Sequence, residues 1–63
     1  MKTVTFGELK IGAPFMFSGI WFFKMSEVSN GMHKYNACGD GTNDYRFFSN
    51  SAHVQIDNEY WAR

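Results

Sequence analysis

The chain predicts one small all-β domain, a five-stranded SH3-like barrel or a strongly bent antiparallel sheet with one short helical turn near the N-terminus. Three observations carry this expectation. Turn residues recur at Gly7, Gly12-Ala13-Pro14, Ser18-Gly19, Ser29-Asn30-Gly31, Gly39-Asp40-Gly41 and Ser49-Asn50-Ser51, leaving short β-rich runs between them. No stretch repeats apolar residues at three and four positions for long enough to form an ordinary helix. Aromatic residues make up 19% of the 63 residues, and their large buried area suits a chain so short that it hides only about 60% of its unfolded surface.

The elements follow in order. In Phe6-Gly-Glu-Leu9-Lys-Ile-Gly12, two apolar residues stand three apart ahead of a glycine, the pattern of a single helical or 3₁₀ turn. After Pro14, Phe15 and Phe17 flank Met16, and Ser18-Gly19 reverses the chain into residues 20–26, so the two runs predict a hairpin. Alternation with period two sets Trp21, Phe23 and Met25 on one face of the second run and Ile20, Phe22 and Lys24 on the other. The charge on Lys24 marks its face as the wetter one. Strands around residues 32–38, 44–48 and 53–57 complete the five, with Val54 and Ile56 inward and His53, Gln55 and Asp57 outward. The domain spans residues 1–63 without repeat or linker.

Charge and cysteine content narrow the function classes. Six basic residues balance six acidic ones and 44% of the chain is apolar, the composition of a folded chain rather than a disordered one. The basic residues Lys2, Lys10, Lys24, Lys34, Arg46 and Arg63 are scattered, which argues against a partner held mainly through its phosphates. The single cysteine, Cys38, permits no internal disulfide, so a reducing cytoplasm suits the chain. The longest apolar run, residues 20–23, is far short of the roughly 20 residues of a membrane span, and no membrane association is expected.

Phe6-x-x-Leu9-x-x-Gly12-x-x-Phe15, then Gly19-x-x-Phe22-x-Lys24, then Phe48-Ser49-x-x-x-x-Val54-x-Ile56 resembles a pattern in many short uncharacterised proteins of tailed phages and prophages. The resemblance covers nearly the whole chain. It implies a small barrel encoded by a phage or mobile element, and no particular activity. Three departures stand out: Ile20 and Trp21 occupy positions that are usually polar, Phe22 replaces a usual Tyr, and Asn58-Glu-Tyr60-Trp61 extends past the last strand.

Chemical constellations are sparse. A metal site would draw on His33, Cys38 and His53 with Asp40 or Asp44, but the spacing fits no zinc pattern, and no metal or cofactor is expected. Catalysis by Cys38 would need a base such as His33 or His53 and a third residue to orient it, so Cys38 reads as a buried thiol and the chain as no enzyme. Asp40, Thr42, Asn43 and Asp44 lack the alternation and closing Glu of a calcium loop, and their residue types suit an ordinary hairpin turn.

Two binding readings remain. In the first, apolar residues beyond the needs of the core dock a host or phage protein, through Ile20, Trp21, Phe22 and Lys24 of the hairpin together with Met32, Tyr60 and Trp61. Tyr60-Trp61 would alternatively plug one end of the barrel, and open strand edges offer a route to a homodimer. In the second, bases of a single-stranded nucleic acid stack on Trp21, Phe22, Tyr35 and Tyr45 while Lys24, Lys34 and Arg46 meet phosphates. About three phosphate contacts would give a salt slope of only about −2 and weak binding.

Overall fold

Short alternating runs separated by turn residues build one antiparallel sheet. The computed structural model describes residues 1–40 and 44–62; Gly41, Thr42 and Asn43 of the calcium-like turn, and Arg63, lie outside the described residues. The strands are β1 (Lys2–Thr5), β2 (Pro14–Phe17), β3 (Ile20–Asn30), β4 (His33–Gly39), β5 (Tyr45–Arg46) and β6 (His53–Ile56). They lie in the order β1-β6-β2-β3-β4-β5, so the sheet is open, with β1 and β5 at its edges. The sixth strand, absent from the sequence expectation, is β1, whose Val4 lies opposite Val54.

The expected hairpin joins β2 to β3 with Phe17 opposite Ile20. Ser18 and Gly19 both take positive φ, 53° and 77°, as a two-residue turn matched to strand twist requires. A Cβ on Gly19 would meet nothing within 4 Å, so Gly19→Ala isolates backbone strain. It is expected to cost about 1–2 kcal/mol, which lowers the melting temperature by several degrees in a calorimetric scan.

The faces of β3 are the reverse of the sequence expectation. Phe22, opposite Phe15, is wholly buried, whereas Phe23 is exposed. Lys24 lies on the inner face too, and its aliphatic stem explains how: the side chain runs inward while the ammonium finds oxygen. Nζ donates to Phe6 O at 3.0 Å and Leu9 O at 2.8 Å, and lies 4.6 Å from the centre of the Phe6 ring. Those carbonyls belong to the first 3₁₀ turn, Phe6–Glu8, and the residue that ends it. Burial holds the Lys24 pKa below the usual lysine value, while the two carbonyls replace lost water.

The core is a cluster of rings. Phe48 stacks on Phe6 at 5.3 Å between centroids and meets Phe15, Phe17 and Phe22 edge-on at 5.3, 5.2 and 5.5 Å. Val4, Leu9, Val54 and Ile56 surround it. Phe48 lies beyond the end of β5, outside any strand, and a side chain replaces the missing ladder. Asn36, buried in β4, accepts from Phe48 N at 2.8 Å through Oδ1 and donates to Phe48 O at 2.9 Å through Nδ2. The following loop is pinned to the 3₁₀ turn by Phe6 N to Ala52 O and Gly7 N to Asn50 O. A Cβ on Gly7 would come within 3.0 Å of Asn50 Cβ and 3.1 Å of Asn50 O, so any larger residue there requires Asn50 to give way by a few tenths of an ångström.

Thr5 precedes the first 3₁₀ turn, and the Glu8 carboxylate accepts from both its backbone N–H (2.9 Å) and its hydroxyl (2.8 Å). These hydrogen bonds, the backbone one foremost, hold the Glu8 pKa below the usual glutamate value. A carboxyl depressed by folding contributes stability above its unfolded pKa and loses it as pH falls through the folded one. Melting temperature is therefore expected to fall on acidification through that window, and Glu8→Gln to flatten this part of the profile.

The chain ends in a second 3₁₀ turn, Glu59–Trp61, capped by Asn58 Oδ1, which accepts from Tyr60 N at 2.9 Å. It folds back on the first turn. Lys10 N donates to Trp61 O, Leu9 bridges Ala62, and Trp61 and Ala62 pack against the core.

Candidate functional site: the outer face of the sheet

Residues directly opposite on antiparallel strands share a face, so the pairing register draws the outer surface. One row crosses four strands as Pro14, Phe23, Cys38 and Tyr45. A second crosses as Thr3, Gln55, Met16 and Trp21. The rows meet on β3, where Trp21 and Phe23 are two residues apart and point the same way. Neither row carries a charged side chain. Phe23 is 39% exposed and Tyr45 51%, while Pro14, Met16, Trp21 and Cys38 are half-buried. Tyr35 leans on Tyr45 with centroids 4.8 Å apart.

The seven residues named for protein binding scatter over several environments. Ile20 is exposed at the end of the hairpin and Trp21 lies on the outer face. Phe22 is a core ring and presents nothing to a partner, a correction with a plain cause: Lys24 drew the assignment to the wrong face, although its ammonium is held by internal carbonyls. Tyr60 is exposed and stacks under Lys10, whose Nζ lies 3.5 Å from its ring centre, while Trp61 packs on the core. Within the tail, Trp61 packs against the core while Tyr60 stays exposed. Met32 is fully exposed at the tip of an arm formed by β3 and β4, where Val28 pairs with Tyr35 and Asn30 with His33.

The nucleic-acid set is also divided. Trp21, Tyr35 and Tyr45 do lie on β3, β4 and β5. Their cations are engaged elsewhere: Lys24 on carbonyls, Arg46 paired with Asp44 at 3.3 Å and placed over the Phe22 ring, Lys34 over Phe47. The cross-strand neighbours of Cys38, half-buried rather than fully buried, are Phe23 and Tyr45, neither of them an imidazole base. Among the described residues no three of His, Cys, Asp and Glu stand close enough to share a metal ion, and no helix is long and apolar enough to cross a membrane.

Sequence reasoning passed over Phe23, Met16, Pro14 and Cys38 as surface residues. The signal was present in the period-two alternation that grouped Trp21 with Phe23; only the side facing water was misassigned. No family model, curated protein or solved structure matches the chain.

Proposed function

We propose that this chain is a small non-catalytic accessory protein, phage- or prophage-derived and acting in the bacterial cytoplasm, that docks a protein partner on the outer face of its sheet. In this reading the open sheet is a relative of SH3-like barrels. One observation carries it: two cross-strand rows, Pro14-Phe23-Cys38-Tyr45 and Met16-Trp21, set the exposed Phe23 and Tyr45 beside the half-buried Pro14, Met16, Trp21 and Cys38 with no charged side chain among them. A chain this short needs its rings inside, and contiguous apolar surface left outside marks an interaction site. Neutrality supports a protein over a nucleic acid, whose affinity rests on free cations.

The test is a pull-down from host lysate with wild type and Phe23→Lys side by side. A partner captured by the first and lost by the second is expected; capture of nothing by either sinks the reading. Titration with labelled single-stranded oligonucleotides at low salt is expected to give no shift, and a saturable shift would favour the nucleic-acid reading instead.

A further inference from the structure

Past the rest of the sheet, β3 and β4 continue as an arm whose outer edges are bare. β2 accompanies β3 only from Ile20 to Phe23, and the last backbone bonds on that side are those of Lys24 to Gly12 and Ala13. Among the described residues no strand flanks residues 25–30 of β3 there, and β5 reaches β4 only at Ala37 and Cys38. A bare edge offers its N–H and C=O groups to a further strand, and the side chains along it decide which strand fits.

The turn at the tip sets which groups point outward. Asn30 lies opposite His33 across Gly31-Met32, and the pair that closes a two-residue turn exchanges backbone hydrogen bonds. Alternation then aims the N–H and C=O of Val28 at β4 and those of Ser29 and Glu27 at solvent. A second copy paired antiparallel on this edge about a two-fold axis must centre on a residue, because a centre between residues sets outward groups against inward ones. Centring on Glu27 opposes two carboxylates, and centring on Ser29 runs into the turn. Centring on Val28 does neither: Ser29 of one copy exchanges both backbone bonds with Glu27 of the other, and the axis repeats them.

The side chains agree with that register. Val28 lies opposite Tyr35 and Ser29 opposite Lys34, and residues directly opposite share a face. Joining two arms at Val28 therefore makes one apolar row, Tyr35-Val28 meeting Val28-Tyr35. It also sets Glu27 of one copy and Lys34 of the other on either side of the small Ser29, within reach of two long side chains. Among the described residues Glu27 has no ion pair in its own chain, and both Glu27 and Lys34 are exposed. The fully exposed Met32 at the tip of each arm is carried toward the turn of the other copy that holds Ile11, itself 58% exposed, beside the Gly12 bonded to Lys24 O. The bare edge of β4 offers no such match, since centring it on Lys34 sets ammonium against ammonium.

We propose that the occupant of this edge is a second copy of the chain, in a two-fold dimer centred on Val28 and held in register by Glu27 and Lys34 of opposite copies. It stands apart from the docking reading above, which concerns the outer face. Sedimentation equilibrium of the full chain from about 10 µM to about 1 mM tests it, at low salt because exposed ion pairs are screened. The mass is expected to double within that range. Ser29→Pro removes a donor that no strand of its own chain uses and is expected to weaken association at least about tenfold. Glu27→Lys and Lys34→Glu each alone stay monomeric, and an equimolar mixture of the two recovers the doubled mass, because every cross-copy pair again joins opposite charges. Circular dichroism spectra matching wild type show that the variants fold. A monomer at about 1 mM, a dimer indifferent to Ser29→Pro, or a mixture no heavier than its components overturns the proposal. A doubled mass that Phe23→Lys abolishes and Ser29→Pro leaves intact overturns it too, by placing the second copy on the outer face.

Discussion

Phe48→Ala is expected to remove about a third or more of the chain's folding stability. Removing a buried phenylalanine ring costs about 3–5 kcal/mol, and here the ring is the shared neighbour of Phe6, Phe15, Phe17 and Phe22. No single neighbour can collapse into the space without abandoning another ring. At about 0.05–0.15 kcal/mol per residue, a chain of this length holds only about 3–9 kcal/mol in total. Circular dichroism across a urea series checks this: Phe48→Ala should move the transition to markedly lower denaturant than wild type. Trp21→Ala, by contrast, removes a half-buried ring from the outer face and should shift the midpoint far less. Equal shifts would refute the assignment of inner and outer faces.

The second large effect lies at Asn36. Its amide side chain is the partner of both backbone groups of Phe48, so Asn36→Leu leaves an N–H and a C=O buried without a hydrogen bond. Each costs about 1–3 kcal/mol. The loss should therefore exceed that of an ordinary polar-to-apolar change, although leucine adds apolar volume. Asn36→Asp separates the two bonds: an ionised carboxyl still accepts from Phe48 N but faces Phe48 O with no proton to give. Protonation restores the donor. The introduced carboxyl thus favours its neutral form when folded, and the stability it provides is present at low pH and lost as pH rises through its folded pKa. A variant that grows more stable on mild acidification, while wild type does not, is the expected readout in parallel melts. A flat difference between them across that range would deny Asn36 its role as a two-way clamp.

Local chemistry made much of this fold legible. Ser18-Gly19 supplies two adjacent positive φ angles, so the hairpin and its register follow from a dipeptide and the rings around it. Phe6 and Leu9, three apart before Gly12, place the first 3₁₀ turn correctly, and Val54 and Ile56 point inward as their alternation requires. Strand β1 escaped notice because Lys-Thr-Val-Thr has one apolar side chain, and its partner β6 lies at the other end of the chain. The clamp of Asn36 on Phe48 was equally silent, since asparagine in a run of strand residues gives no hint that it replaces a ladder.

The outer face shows where sequence stops. Alternation with period two established that β3 has two faces and sorted Trp21 and Phe23 from Phe22 and Lys24. Which face is buried depends on the elements that come to cover it: the 3₁₀ turn, the loop bearing Phe48, and the C-terminal tail. These arrive from sequence-distant parts of the chain, and the first of them supplies carbonyls at the one place where Lys24 can bury its stem and keep its charge. The sequence by itself determined the all-β class, the hairpin turn at Ser18-Gly19 and the composition of each face of β3. The tertiary structure decided which face meets water, that the sheet stays open, and that Phe23, Cys38 and Tyr45 form one row, because each of these depends on long-range partners that no local pattern encodes.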